Sequence, residues 1–182
     1  MLSTTLTEGS ANDWISLAVV QGFQTPETMG ITCLAVFLAA MTTMRILGTR
    51  LIDRWGRVVT LRLCALSAIV GLTCFCLGPA LWFMVVGAAI WGFGSALGFP
   101  VGISAAGDDP LRAARRTSVV STLGYVAFLG GPPLFGLIAK YLGFRHALLF
   151  ILIPAVATLL LAGWMKPIVP PDQNPGGNAG GG

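Results

Sequence analysis

Between Leu63 and Gly107 the sequence reads LCALSAIVGLTCFCLGPALWFMVVGAAIWGFGSALGFPVGISAAG, without one Asp, Glu, Lys or Arg. As a single helix rising about 1.5 Å per residue it would be about 68 Å long, more than twice a hydrocarbon core of about 30 Å. The stretch must therefore cross a bilayer, turn at Gly78-Pro79 and cross back. The composition agrees. Of 182 residues 55% are hydrophobic and 10% charged, with a mean hydropathy of +0.82, whereas a soluble domain carries about 25% charged residues. An ordinary cytosolic enzyme is excluded, and the 24 Gly and 11 Pro sit mostly among apolar runs rather than marking a disordered chain.

The same reading divides the rest of the chain. Apolar spans are predicted at about 28–51 (with Arg45 snorkelling), 58–77, 80–104, 117–139 and 146–165. Each is near the roughly 20 residues that a crossing needs, and backbone that meets lipid must be helical. Ahead of them only Trp14 to Thr25 is free of charge, and it contains Gln21, Gly22 and Gln24. That is too short to cross, so residues 1–27 read as the last half of a helix, or an interfacial helix, followed by an external loop. The predicted fold is all-α: a polytopic integral membrane protein with five complete transmembrane helices plus a partial N-terminal helix, the half-bundle occupying 28–166. Residues 167–182 are rich in Pro, Gly and Asn, have too little apolar surface to fold, and are predicted to be a disordered tail.

Net charge is +4, but the basic residues lie between apolar runs, which argues for orientation signals and against nucleic-acid binding. Arg45, Arg50, Arg54, Arg57, Arg62, Arg112, Arg115, Arg116 and Lys166 fall on one side of the membrane by alternation, and only Lys140 and Arg145 on the other. The positive-inside rule puts the larger group, and the C-terminus, in the cytoplasm of a cell-membrane protein. No basic n-region precedes an h-region, so insertion is expected to be driven by the later helices. Cys33, Cys64, Cys74 and Cys76 all lie in apolar segments, no C-x-x-C occurs, and His146 is the sole histidine. Neither a metal site nor a cofactor is expected. An enzyme reading finds no nucleophile elbow and no acidic cluster within a span.

The most specific motif is Gly48-Thr49-Arg50-Leu51-Ile52-Asp53-Arg54-Trp55-Gly56-Arg57. Physically it is a tight turn between two spans. Gly56 supplies permissive backbone angles, Asp53 caps or pairs with an Arg, and the arginines anchor at the interface. A plain positive-inside loop has the same features. A second stretch, Gly124 to Gly136, carries Gly131, Pro132 and Pro133 in mid-span, where missing N–H groups kink a helix; either a static packing kink or bending during work follows. A third is the series Gly94, Gly98, Gly102, Ala106, with Pro100 inside it. It forms a small-residue stripe that packs closely on a partner helix or faces a ligand.

D-R-x-G-R between two membrane helices resembles the cytoplasmic-loop signature of the major facilitator superfamily (MFS), and Gly124–Gly136 is similar to its Gly/Pro-rich eleventh helix. The family's usual glycine four residues before the Asp is replaced by Thr49, with Gly48 one residue earlier. The resemblance implies that the five spans are the eighth to twelfth helices of a facilitator, half of that fold, with Leu2 to Gln21 the outer part of the seventh. It further implies solute binding in a central cavity partly lined by that seventh helix. The polar candidates there are Glu8, Asn12 and Asp13, joined by Ser121 and Tyr125. Glu8 and Asn12 share a helical face, and an intramembrane carboxylate is costly and usually functional. The alternative is that Ser10-x-x-Asp13 is a capping box that merely starts a helix. Asp108-Asp109-Pro110 with Arg112, Arg115 and Arg116 reads as a solvated loop or as a gate.

The expected function is transport of a small solute by alternating access, as the C-terminal half of a secondary transporter whose N-terminal half is missing here and without which it is inactive. Its other partners are the lipid bilayer and the solute. A sugar, a drug, an amino acid or a metabolite anion would suit the candidates equally. The alternative is a small membrane scaffold or regulatory subunit that pairs with a larger membrane protein through its glycine stripes.

Overall fold

The computed structural model describes residues 2–107 and 113–165. The expectations for Asp108, Asp109, Pro110 and Arg112, for Lys166 and for the tail therefore lie outside the described residues. Every element within them is helical: α1 (Leu2–Phe23), α2 (Glu27–Trp55), α3 (Arg57–Leu77), α4 (Leu81–Ser95), α5 (Gly98–Ala106), α6 (Ala113–Leu142), α7 (Phe144–Ala147) and α8 (Leu152–Leu161). Short 3-10 turns cover Leu148–Ile151 and Ala162–Met165.

Four helices are long and apolar enough to cross a membrane: Glu27–Trp55, Arg57–Leu77, Leu81–Ala106 and Ala114–Leu142. They overlap the stretches 28–51, 58–77, 80–104 and 117–139 read from the sequence, the first and last running three to four residues beyond them. The fifth stretch is helical from Phe144 to Met165 but is assembled from α and 3-10 pieces. Pro154 accounts for the tightening, because it has no N–H to offer the Phe150 carbonyl.

The N-terminal segment corrects an expectation. α1 is one uninterrupted helix of 22 residues, about 33 Å long, with Ala11, Ile15, Ala18 and Val19 fully buried. Ser10 and Asp13 lie in its interior, so the capping-box reading fails. What separates α1 from the four apolar helices is polarity, not length.

The bundle is held most extensively by α3 against α4. Small residues let the two backbones approach: a Cβ at Gly71 would collide with the Trp91 backbone, one at Gly87 with the Phe75 backbone, and one at Gly94 with the Ala68 backbone. Close backbone approach of this kind drives helix association where lipid removes the hydrophobic incentive. Ser67 Oγ adds a hydrogen bond across the pair to the Ile90 carbonyl, 2.8 Å. The Trp91 ring closes the core, edge-on to Phe37 at 5.4 Å between centroids and tilted against Phe75 at 6.0 Å.

The single glycine stripe is also corrected. The helix breaks at Ala96–Leu97, between Gly94 and Gly98, and the two glycines face different neighbours: Gly94 lies on α3, Gly98 on Thr4 of α1. Pro100 explains the break. Within the first turn of α5 its missing N–H costs nothing, but the same absence leaves the Ala96 carbonyl without a helical donor. α6, by contrast, remains one helix through Pro132 and Pro133.

A candidate solute cavity built on the Glu8–Arg45 pair

The carbonyl freed by Pro100 is where the site begins. Arg45, in the interior of α2, turns its Nε to the Ala96 carbonyl at 3.2 Å and its Nη2 to Glu8 Oε1 of α1 at 2.6 Å. The guanidinium is thereby fixed from two sides, by a break in one helix and a carboxylate on another. The Glu8 side chain is 17% exposed and that of Arg45 42%. The pair is partly withdrawn from solvent, where charge-assisted bonds are stronger than at an open surface.

Around it lies a cavity of about 310 Å³, walled by Thr5 and Glu8 of α1, Arg45 of α2, Phe99 of α5 and Tyr125 and Phe128 of α6. α1 and α6 meet closely: Gly9 lies against the Phe128 ring and Gly131 against Leu6. This brings the α6 aromatics beside the ion pair. Of the candidates read from the sequence, the cavity gathers Glu8 and Tyr125. Asn12 is turned back on its own helix, its Nδ2 donating to the Glu8 carbonyl at 3.1 Å. Asp13 is exposed on another side of α1, and neither it nor Ser121 lines the cavity.

Arg45, Thr5, Phe99 and Phe128 were missed. Arg45 carried the signal, since an ionisable residue in the middle of an apolar run is functional by default. Reading it as a snorkelling anchor overlooked that it stands about 15 Å along the helix from Trp55.

A second cleft, also about 310 Å³, adjoins the first and shares Arg45 with it. It lies where α2 and α3 meet α5, at the end of the bundle that carries the D-R-x-G-R turn. Gly56 makes that turn with φ +78° and ψ 161°, and a Cβ there would meet nothing within 4 Å. The glycine is thus required by its backbone angles rather than by space. Gly48 is buried against Leu97, one residue before the position that the family's usual glycine takes. Arg57 Nη2 donates to Ser104 Oγ at 3.0 Å, tying the turn to α5. Asp53 and Arg54 are exposed. Among the described residues no cluster of His, Cys, Asp or Glu is placed to hold a metal.

Comparison with known proteins gives these features a family. The profile of the Major Facilitator Superfamily matches residues 2–181. An uncharacterized transporter, y4wD, of Sinorhizobium fredii is 30% identical over 91% of this chain and 44% of its own length. The membrane protein MosC of Rhizobium meliloti is 31% identical over 82% of this chain and 37% of its own. An uncharacterized MFS-type transporter of Yersinia pestis is 30% identical over 74% and 35%. The chain thus spans less than half the length of the curated relatives it matches. No solved structure matches it significantly. An all-helical, membrane-embedded bundle, a D-R-x-G-R turn between two of its apolar helices and a family match over nearly the whole length lead to one conclusion: the chain belongs to the Major Facilitator Superfamily of transporters.

Proposed function

We propose that this chain carries one wall of the solute pathway of a secondary transporter and contributes to alternating access as its C-terminal half. The observation that carries this reading is the Glu8–Arg45 pair beside an open cavity of about 310 Å³. Such a pair is stable while closed on itself and is broken by a solute or a proton that competes for either partner. Tyr125, 65% exposed, and Phe128 offer apolar and ring contacts beside it. A second helical bundle, supplied by a longer polypeptide or a separate chain, closes the open side, and without it the chain does not transport. In this reading five helices cross the cell membrane, the stretch from Phe144 to Met165 being the fifth. The D-R-x-G-R turn and the C-terminus then face the cytoplasm, as the charge asymmetry favours.

The test is uptake in the native host. A strain lacking the gene is compared with wild type over a panel of sugars, amino acids, organic acids and drugs. Glu8→Gln is then introduced at the native locus. The expected result is an uptake defect on deletion, together with loss of its dependence on a proton gradient in Glu8→Gln. Unchanged gradient dependence would remove Glu8 from the coupling role. A specific membrane partner with no uptake defect on deletion would replace transport by a scaffold function. Tagging the C-terminus at the same locus and comparing the product with 19.0 kDa tells whether the second bundle is on the same polypeptide.

A further inference from the structure

The Glu8–Arg45 pair also limits the class of solute, an inference that rests on reading its cavity as the solute site. One hydrogen bond joins the two side chains, Arg45 Nη2 to Glu8 Oε1, although a guanidinium and a carboxylate can meet through two. Arg45 gives its Nε to the Ala96 carbonyl instead. Glu8 Oε2 and Arg45 Nη1 take no part in either bond, and both residues line the cavity. Among the described residues no other carboxylate, amine or guanidinium lines it. The cavity therefore presents one anionic acceptor beside one cationic donor, and their charges cancel. That balance constrains what can open the pair. A solute with a lone positive charge takes Glu8 and leaves the guanidinium without its counter-charge; a lone negative charge does the reverse, and a partly withdrawn ion without a partner is costly. A neutral solute offers only weaker bonds in exchange for charge-assisted ones. A zwitterion replaces both partners at once: its carboxylate accepts from Arg45, its ammonium donates to Glu8, and neither side chain is left unpaired. The apolar part of the wall is made of rings, Phe99, Tyr125 and Phe128, which suit an apolar or aromatic body. At about 310 Å³ the space is near the lower end of the range for small-molecule sites.

We infer that the cavity binds a small zwitterion of the amino-acid class, with its carboxylate on Arg45, its ammonium on Glu8 and an apolar or aromatic side chain among Phe99, Tyr125 and Phe128. Of the four solute classes that the sequence leaves open, this one alone opens the pair without stranding a charge.

The chain is purified in a neutral detergent and heated with a thiol-reactive dye, for which the buried Cys33 and Cys64 are built-in reporters of unfolding. Four probes of one shape are added separately. L-Phenylalanine carries both charges, N-acetyl-L-phenylalanine only the negative, L-phenylalaninol only the positive, and N-acetyl-L-phenylalaninamide neither; L-leucine is a second zwitterion. A zwitterion should raise the unfolding temperature in a saturable way, at a half-maximal concentration lower by about tenfold or more than those of the other three probes. In Glu8→Gln the ammonium loses its acceptor and Arg45 its counter-charge, so N-acetyl-L-phenylalanine should now bind more tightly than L-phenylalanine. Glu27→Gln removes an exposed carboxylate of α2 that does not line the cavity and should leave the wild-type order intact. The wild-type order decides the matter even where Glu8→Gln fails to fold. The inference is overturned if neither zwitterion stabilises the chain, if a singly charged or neutral probe binds as tightly, or if a folded Glu8→Gln keeps the wild-type order. Uptake separates this failure from that of the transport reading. A zwitterion that binds in the expected order, with no uptake defect on deletion, keeps the site and removes transport. An uptake defect confined to solutes of single charge or none keeps transport and overturns the zwitterion.

Discussion

The Glu8–Arg45 bond makes a quantitative demand. At 2.6 Å, with side chains 17% and 42% exposed, it is neither a surface pair nor a buried one. Exposed pairs contribute about 0–1 kcal/mol, whereas losing one partner of a buried pair costs about 3–5 kcal/mol. Discounting for solvent at the guanidinium, the coupling between the two side chains should be about 1–2 kcal/mol. The perturbation is the cycle of Glu8→Gln, Arg45→Gln and the double variant. At position 8 Gln keeps the length and removes only the charge, whereas at position 45 it removes the charge together with the reach and the donors of the guanidinium. Arg45→Gln should be the worse single change, because it leaves a mostly buried carboxylate without its cation and the Ala96 carbonyl without the Nε donor. The double variant should be less destabilised than the singles predict. The assay is reversible denaturant unfolding of the purified chain in detergent micelles, read by tryptophan fluorescence, with Trp91 fully buried as the main reporter. Single effects that add to within about 0.5 kcal/mol would refute the pairing, and with it the idea that the pair must be opened by a competing ligand.

Other consequences can be checked the same way. Gly94→Val should destabilise by about 2 kcal/mol or more, since its Cβ meets the Ala68 backbone rather than a side chain that could rotate aside. Gly56→Ala should cost about 1–3 kcal/mol from backbone angles alone, without changing the packing around it. Measured by unfolding, a cost near zero at either glycine would contradict the geometry. Tyr125→Cys should react rapidly with a hydrophilic maleimide while Cys33, Cys64 and Cys76 stay protected in the folded chain; equal labelling rates would mean that the cavity is closed.

Much of the bundle was legible because lipid leaves the chain few choices. Once the run from Leu63 to Gly107 had to double back, helix was the only backbone state available to it, and the turn at Gly78-Pro79 lies where α3 ends and α4 begins. The limits appear where polarity and length disagree. α1 carries Glu8 and Asp13, so a charge-free window sees only its second half, yet Ala11, Ile15, Ala18 and Val19 bury one face and make it a single helix. The glycine series from Gly94 to Ala106 misled in the opposite way. A spacing of four implies one face only while the helix is continuous, and Pro100 interrupts it, so Gly94 and Gly98 pack on different helices.

That interruption is also why the cavity was only half legible. The sequence places Glu8 and Tyr125 on helices but says nothing of what lies opposite them, and Arg45 read as an interface anchor because the nearest charges belong to the D-R-x-G-R turn. Its true partners depend on a chain of local causes. Pro100 cannot donate, so the Ala96 carbonyl is freed; the carbonyl takes the Arg45 Nε, and the guanidinium then presents its other edge to Glu8. Pro100→Ala tests the whole sequence of causes. It restores a donor at position 100, should let α4 and α5 join through Ala96, and so removes an acceptor from Arg45. The fold should survive, because an added helical bond offsets the lost one, but the coupling measured between positions 8 and 45 should fall in this background. If the coupling is unchanged, Arg45 is held by Glu8 alone, and the break in the helix is incidental to the site.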